Sequence, residues 1–264
     1  MIEHEIIYDT PAWLLALVLL VVLSAAIELG FRVGKRHRSS SDTAATGAGT
    51  MEAAVFGLFG LLLALSFSFV VSRSEERRHL MVQEANAIGT AYLRCDIAPD
   101  ALRTELRSEM REYVDQRVAL AEAGSDDVRA AAVAKSANVL QGKIWAGAVG
   151  LVRAHPDGDA YALLVEAMNE MFDMQSARDA AMRAHLPTAV LVFLALTAAV
   201  AAVVAGYTLG LAGERHGLAS SCFVVLTVLV AFTIVDMDRP RSGLFRAPVG
   251  MLVQLQAQMK EGPP

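Results

Sequence analysis

AAVFGLFGLLLALSFSFVVS, Ala53 to Ser72, runs 20 residues without a charge and passes into RSEERRH, Arg73 to His79, with neither proline nor glycine to stop it. A helix rises about 1.5 Å per residue and a bilayer core is about 30 Å thick, so this stretch is long enough to cross. Inside lipid the backbone must satisfy its own polar groups, which makes the stretch a helix. Its exit predicts one long rod that leaves the membrane and continues at least to Ile88. Three more uncharged stretches, Thr10–Ile27, Leu186–Gly213 and Gly217–Val235, hold 18, 28 and 19 residues. The order is two, a long polar gap, then two. The expected fold is an all-α membrane protein, four transmembrane helices with a helical-bundle domain inserted between helices two and three.

The expected division follows that order. Residues 1–50 carry the first span and a flexible Ser/Thr/Ala/Gly linker, and 51–98 the second span with its helical extension. Residues 99–185 form the inserted bundle, 186–235 the third and fourth spans as a hairpin, and 236–264 a C-terminal tail. Only 19% of the chain is charged, and those residues crowd into the gap and the loops. Arg73–His185 holds 14 basic and 18 acidic residues, well mixed, as on a solvated helical surface. A net charge of −5 gives no reason to expect nucleic acid as a partner. The first ten residues lack Lys and Arg, so no basic n-region of a cleavable signal is evident. Cys95 and Cys222 fall in different environments and build neither a disulfide framework nor a thiol metal site.

The gap reads as helices throughout. Pro99 starts one, whose Leu102, Leu106, Met110, Tyr113, Val114 and Val118 recur at helical steps. Gly124-Ser-Asp-Asp breaks it, and Val128, Ala132, Val139, Trp145, Val149 and Val152 mark a looser face on the next. After Pro156-Asp-Gly, the residues Tyr161, Leu164, Val165, Met168, Met171, Phe172 and Gln175 give the cleanest stripe. Gly57 and Gly60 in span two, and Gly206-Tyr-Thr-Leu-Gly210 in span three, favour close helix packing. With four spans the N-terminus, the bundle and the tail share one side. Arg32, Lys35, Arg36, Arg38 and Arg215 stand on the other, against eight arginines flanking spans on the bundle side, so charge counting does not choose the side.

Two segments beside the spans carry the most chemical character: Glu84-Ala-Asn-Ala-Ile-Gly-Thr-Ala-Tyr-Leu-Arg94 and Asp236-Met-Asp-Arg-Pro-Arg-Ser-Gly243. The expectation is that they meet, with Asp236 or Asp238 accepting from Arg94, Arg77 or Arg78. The pairing would pin span two against span four, or line an ion vestibule with Asn86 and the carboxylates. Arg239 and Arg241 complete this interfacial motif. The segment Leu61–Arg94, the run Arg111-Glu-Tyr-Val-Asp-Gln-Arg117 and the Asp-Arg-Pro-Arg-Ser-Gly tail resemble the bestrophin-like domain family of bacterial membrane proteins. The resemblance implies an inner-membrane, pentameric anion channel, with its helical domain cytoplasmic and span two lining the pore. It further implies a hydrophobic neck of three apolar residues spaced four apart, for which Phe59, Leu63 and Phe67 are the candidates. Arg73, Arg77, Arg78, Asn86 and Arg94 are the candidates for an anion-attracting vestibule, with halide among the expected small ions.

The sequence departs from calcium-controlled bestrophins. Only Asp236 and Asp238 follow span four, with Arg239 beside them, too few oxygens for a calcium site of that type. No cofactor and no metal site are expected, because the six histidines never approach metal spacing. No cluster of nucleophile, base and ligand suggests an enzyme. The alternatives to a channel are a membrane sensor or a scaffold whose helical domain binds a ligand or partner.

Overall fold

The computed structural model describes residues 10–38, 42–213, 215–241, 243–245 and 249–261. Among them every regular element is helical: α1 (Ala12–Arg36), α2 (Asp42–Arg94), a 3₁₀ turn (Cys95–Ile97), α3 (Asp100–Glu122), α4 (Asp127–Ala154), α5 (Asp159–Arg183), α6 (Thr188–Ala212), α7 (Gly217–Met237) and α8 (Gly250–Glu261). Four helices are long and apolar enough to cross a membrane, α1, α2, α6 and α7, with at most two charged residues in each apolar window. The chain is a multi-pass membrane protein. The second span continues as one helix to Arg94, past the Ile88 expected from its sequence. No residue in Arg73–His79 supplies a capping turn or removes an N–H, so nothing ends it.

The described residues divide into two compact units. The first holds α1, the apolar part of α2 up to Ser72, α6, α7 and residues 243–245. Its core is Leu23, Phe59, Val70, Leu194, Ala198, Ala201, Ala202, Val224 and Ile234. Lipid tails are as apolar as leucine, so these helices associate through close packing rather than water exclusion. The tightest seam joins α1 to α6. A Cβ built on Gly206 would overlap the Ile27 carbonyl, and one on Gly30 the Val203 carbonyl. Gly210 and Gly34 repeat the arrangement one turn on, so two Gly-x₃-Gly runs face each other. The Gly206–Gly210 match thus serves packing within one chain, and Gly30–Gly34 is its unrecognised half. Gly57 and Gly60 play no such part, since a Cβ on either would meet open space. α6 stops at Gly213, whose φ of +76° closes the helix with an N–H bond to the Leu209 carbonyl.

The second unit holds α2 from Arg73, α3, α4, α5, residues 240–241 and α8. Its core runs through Ile88, Ala91, Tyr92, Leu106, Met110, Tyr113, Val114, Leu140, Ile144, Leu164, Met168 and Met171. The stripes expected on α3 and α5 are the buried ones. That of α4 is different. Val128 and Val139 are 83% and 55% exposed, and the buried residues are Ala130, Ala137, Leu140, Ile144, Ala148 and Leu151. The buried face sets Ala130, Ala137 and Ala148 among Leu140, Ile144 and Leu151, which lets α4 approach its neighbours closely and leaves Val128 and Val139 outside. α8 docks on α3 by burying Leu252 and Met259. Arg111 Nε donates to the Met259 carbonyl at 2.8 Å, and Gln256 Nε2 to Asp115 at 2.7 Å.

Candidate functional site

The helical repeat gives α2 one face turned into the chain and one turned away from it. Phe59 and Val70 are buried, with Val55, Leu62 and Leu63 half-buried beside them. Phe59 and Phe56 meet the ring of Phe223 on α7 edge to face, at centroid distances of 6.4 and 5.0 Å. On the opposite face Gly57, Leu61, Ala64, Ser68 and Ser72 are exposed. The same face leads on to Glu75 and His79 and, two turns further, to Asn86 and Thr90, all exposed. One side of a single 53-residue helix therefore changes from apolar and small to polar along its length.

The three neck candidates do not share that face. A step of four residues turns about 40° around a helix, so Phe59, Leu63 and Phe67 drift by about 80°. Phe59 lies in the core, Leu63 is half-buried, and Phe67 is exposed. The three basic candidates also part company. Arg77 is 3% exposed and donates to the carbonyls of Ala181 and Ala184 at 3.1 and 2.7 Å. It thereby caps the C-terminal end of α5, where a cation also suits the helix dipole. Arg73 is half-buried and Arg78 exposed. Asn86 stands on the exposed face.

Arg94 finds its partners on α5 instead of on the tail. It donates to the Leu163 carbonyl at 2.7 Å and lies 4.0 Å from Glu166. Asp236, expected to accept from an arginine, accepts the backbone N–H groups of Leu244 and Phe245 at 2.6 and 3.2 Å. Asp238 accepts the Leu186 N–H at 2.7 Å just ahead of α6, and its carbonyl lies 2.9 Å from Nδ1 of His185. Gly243 lets this turn close, since a Cβ there would sit 2.5 Å from the Asp236 carbonyl oxygen. The backbone of Arg239 also belongs to it, donating to Asp236 and accepting from Gly243. The two carboxylates therefore already hold the chain ends of α6 and α7. Arg241 lies in the other unit, 4.0 Å from Asp127.

Glu84 and Arg117, from two of the motifs singled out in the sequence, meet in the core of the second unit. Glu84, Arg117 and Arg178 are 0, 1 and 4% exposed. Arg117 Nε and Arg178 Nη1 each donate to a different oxygen of Glu84 at 2.6 Å. Arg117 also reaches Asp179 through Nη2 at 3.0 Å. Two arginines and two carboxylates balance in charge, and Tyr113, Gln141 and Gln175 extend the network. Burial alone lowers the affinity of the Arg117 guanidinium for its proton. Glu84, with Tyr113 and Asp179, outweighs that and raises it, so the group stays charged. Burial pushes the Tyr113 phenol well above its usual value. Sequence reasoning missed Arg178, although it stands three residues after Gln175 in the buried register of α5, as Arg117 does after Val114 on α3.

The family model described as Bestrophin-like domain matches residues 16–249. The chain belongs to the bestrophin-like family. A crystal structure of a variant bacterial bestrophin homologue from Klebsiella pneumoniae matches this bestrophin-like chain with a TM-score of 0.66 at 14% identity, covering 96% of this chain and 98% of that one. A second variant of that homologue gives 0.63 at 15%, covering 93% and 96%. Another crystal structure, described as a membrane protein, gives 0.66 at 13%, covering 95% and 98%. At such identities the bestrophin-like chain shares their fold, and nothing finer is carried over. No curated protein matches it.

Proposed function

We propose that this chain assembles through copies of itself into an ion channel, with the outward face of α2 lining the path. The helical unit between the second and third spans would extend that path beyond the membrane. The carrying observation is the exposed stripe on α2. Ser68 and Ser72 are hydroxyls in an apolar span, and lipid offers them no partner, whereas a hydrated path does. Glycine and alanine at 57 and 64 keep such a path open, and Leu61, with Phe67 at the margin of the stripe, would supply the apolar constriction. Family membership supports the assembly, since the resemblance implies a pentamer.

The charge on the stripe favours cations over the halide expected from Arg73, Arg77 and Arg78. Arg77 is spent on the end of α5, while Glu75 stands on the outward face, flanked by the exposed Glu76 on one side and the exposed Arg78 on the other. A ring of carboxylates concentrates cations and repels halide. The test is reconstitution into liposomes under a salt gradient, with the reversal potential read in planar bilayers. Sodium or potassium should carry the current, and Glu75→Gln should move the reversal potential toward zero. A well-folded oligomer that passes no small ion removes the channel reading, and halide current unchanged by Glu75→Gln removes the charge assignment.

A further inference from the structure

A groove of about 360 Å³ lies within the first unit, between α1 and α7 beside the turn that joins α6 to α7. Its walls change character along both helices. Glu28 of α1 and Arg215 of the turn stand at one end, and Leu20 of α1 with Val224 and Val225 of α7 at the other. The two spans run in opposite directions, so Leu20 to Glu28 and Val225 to Gly217 cover the same depth, about 12 Å. Glu28 follows the uncharged run of α1 and Arg215 precedes that of α7. The apolar end therefore lies in the bilayer core and the charged end at the level of the headgroups. Ser24, Ser220 and Ser221 line the stretch between. Thr197, Thr208 and Thr233 in the same unit bond back to carbonyls of their own helices at 2.9, 3.0 and 2.9 Å. The three serines make no side-chain hydrogen bond among the described residues. Hydrocarbon offers such hydroxyls nothing, whereas the ester and phosphate oxygens of a lipid are acceptors.

We propose that this groove holds one anionic phospholipid, its phosphate beside Arg215 and its glycerol esters along the serines. One acyl chain descends against Leu20, Val224 and Val225. Arg215 is open to such a group. Its side chain is 67% exposed, its guanidinium lies 4.4 Å over the Phe31 ring, and one nitrogen reaches Glu28 at 3.4 Å. Glu28 is held more closely by Arg32, at 2.8 Å. Two guanidinium groups thus share one carboxylate, which leaves a positive charge for the phosphate. Lys35 and Arg36, in the last turn of α1, add to it. That balance disfavours a zwitterionic lipid, whose ammonium would meet the surplus of arginine. The apolar end disfavours free phosphate, which would leave Leu20, Val224 and Val225 uncovered. No residue of α2 lines the groove, so the site stands apart from the ion path.

The test is native mass spectrometry of the full-length protein in detergent, titrated with phosphatidylglycerol or with phosphatidylethanolamine of the same chains. Phosphatidylglycerol should saturate at one per chain and bind about tenfold more tightly than phosphatidylethanolamine, and sodium phosphate should not displace it. Arg215→Gln should weaken it about tenfold or more, while Lys35→Gln, outside the groove, should change its affinity by less than about twofold. Ser221→Phe, at an exposed position, fills the groove and should remove the saturable site with the melting temperature of the lipid-free protein unchanged. Equal retention of the two lipids, or displacement by sodium phosphate, overturns the proposal. So does affinity indifferent to Arg215→Gln and Ser221→Phe, or an equal loss from Lys35→Gln, since either means diffuse attraction to the basic end of α1.

Discussion

Arg117→Met is the perturbation that most directly probes the buried charges of the second unit. Arg117 holds one oxygen of Glu84 at 2.6 Å and reaches Asp179 at 3.0 Å, and it is 1% exposed. A methionine fills much of the same volume, so the loss is chiefly electrostatic. Glu84, with no exposure, keeps only Arg178, and Asp179 loses its strongest donor. Breaking a buried pair by removing one partner costs about 3–5 kcal/mol, because the other charge stays behind uncompensated. At about 2–4 °C per kcal/mol for a chain of this size, the melting temperature should fall by roughly 6–20 °C. Trp145 lies in this unit with its ring 6.2 Å from that of Phe172, so its fluorescence reports the transition. Combining the change with Glu84→Gln should recover part of the loss, since the stranded carboxylate is gone. A shift under about 2 °C, or strict additivity in the cycle, would mean the charges are screened by water and the network does not hold the unit together.

Four further outcomes follow from single positions. Gly206→Ala should force α1 and α6 apart at the Ile27 carbonyl and lower thermal stability by about 1–3 kcal/mol or more, as overpacking does. Gly57→Ala should leave the melting of the isolated chain unchanged, because its Cβ meets open space. The Tyr113 phenol, ordinarily near 10.0, is raised by burial, so the folded state holds that proton more tightly than the unfolded state. Its contribution is therefore complete below pH 10 and is lost as the pH rises further, a decline that Tyr113→Phe should remove from a stability-versus-pH series. Gly243→Ala should strain the turn held by Asp236, read as a lowered melting temperature with the helix content by circular dichroism kept.

The four spans and the long second helix were legible because twenty uncharged residues have few alternatives to a membrane helix, and because Arg73–His79 contains nothing to stop one. The α3 and α5 stripes were legible for a similar reason: large apolar residues recur at one period. The α4 face was not, since alanine is ambiguous between surface and core and the eye follows valine. The site was harder still. A spacing of four looks like a stripe on paper, yet its slow rotation takes Phe59 into the core and Phe67 out of it. Arg77 looks like a vestibule charge until the end of α5 is seen to need a donor. Asp236 and Asp238 read in sequence as partners for arginine, because the backbone N–H groups that each of them accepts leave no mark there.

Cysteine accessibility along α2 tests the claim that its outward face lines an ion path. In a background with Cys95 and Cys222 replaced, Ser68→Cys and Ser72→Cys are treated with a charged, membrane-impermeant thiol reagent during current recording. Modification at 68 and 72 should change the current within the exposure, while Val70→Cys, buried between them, should not respond. Modification at 70 with silence at 68 and 72 would contradict the account.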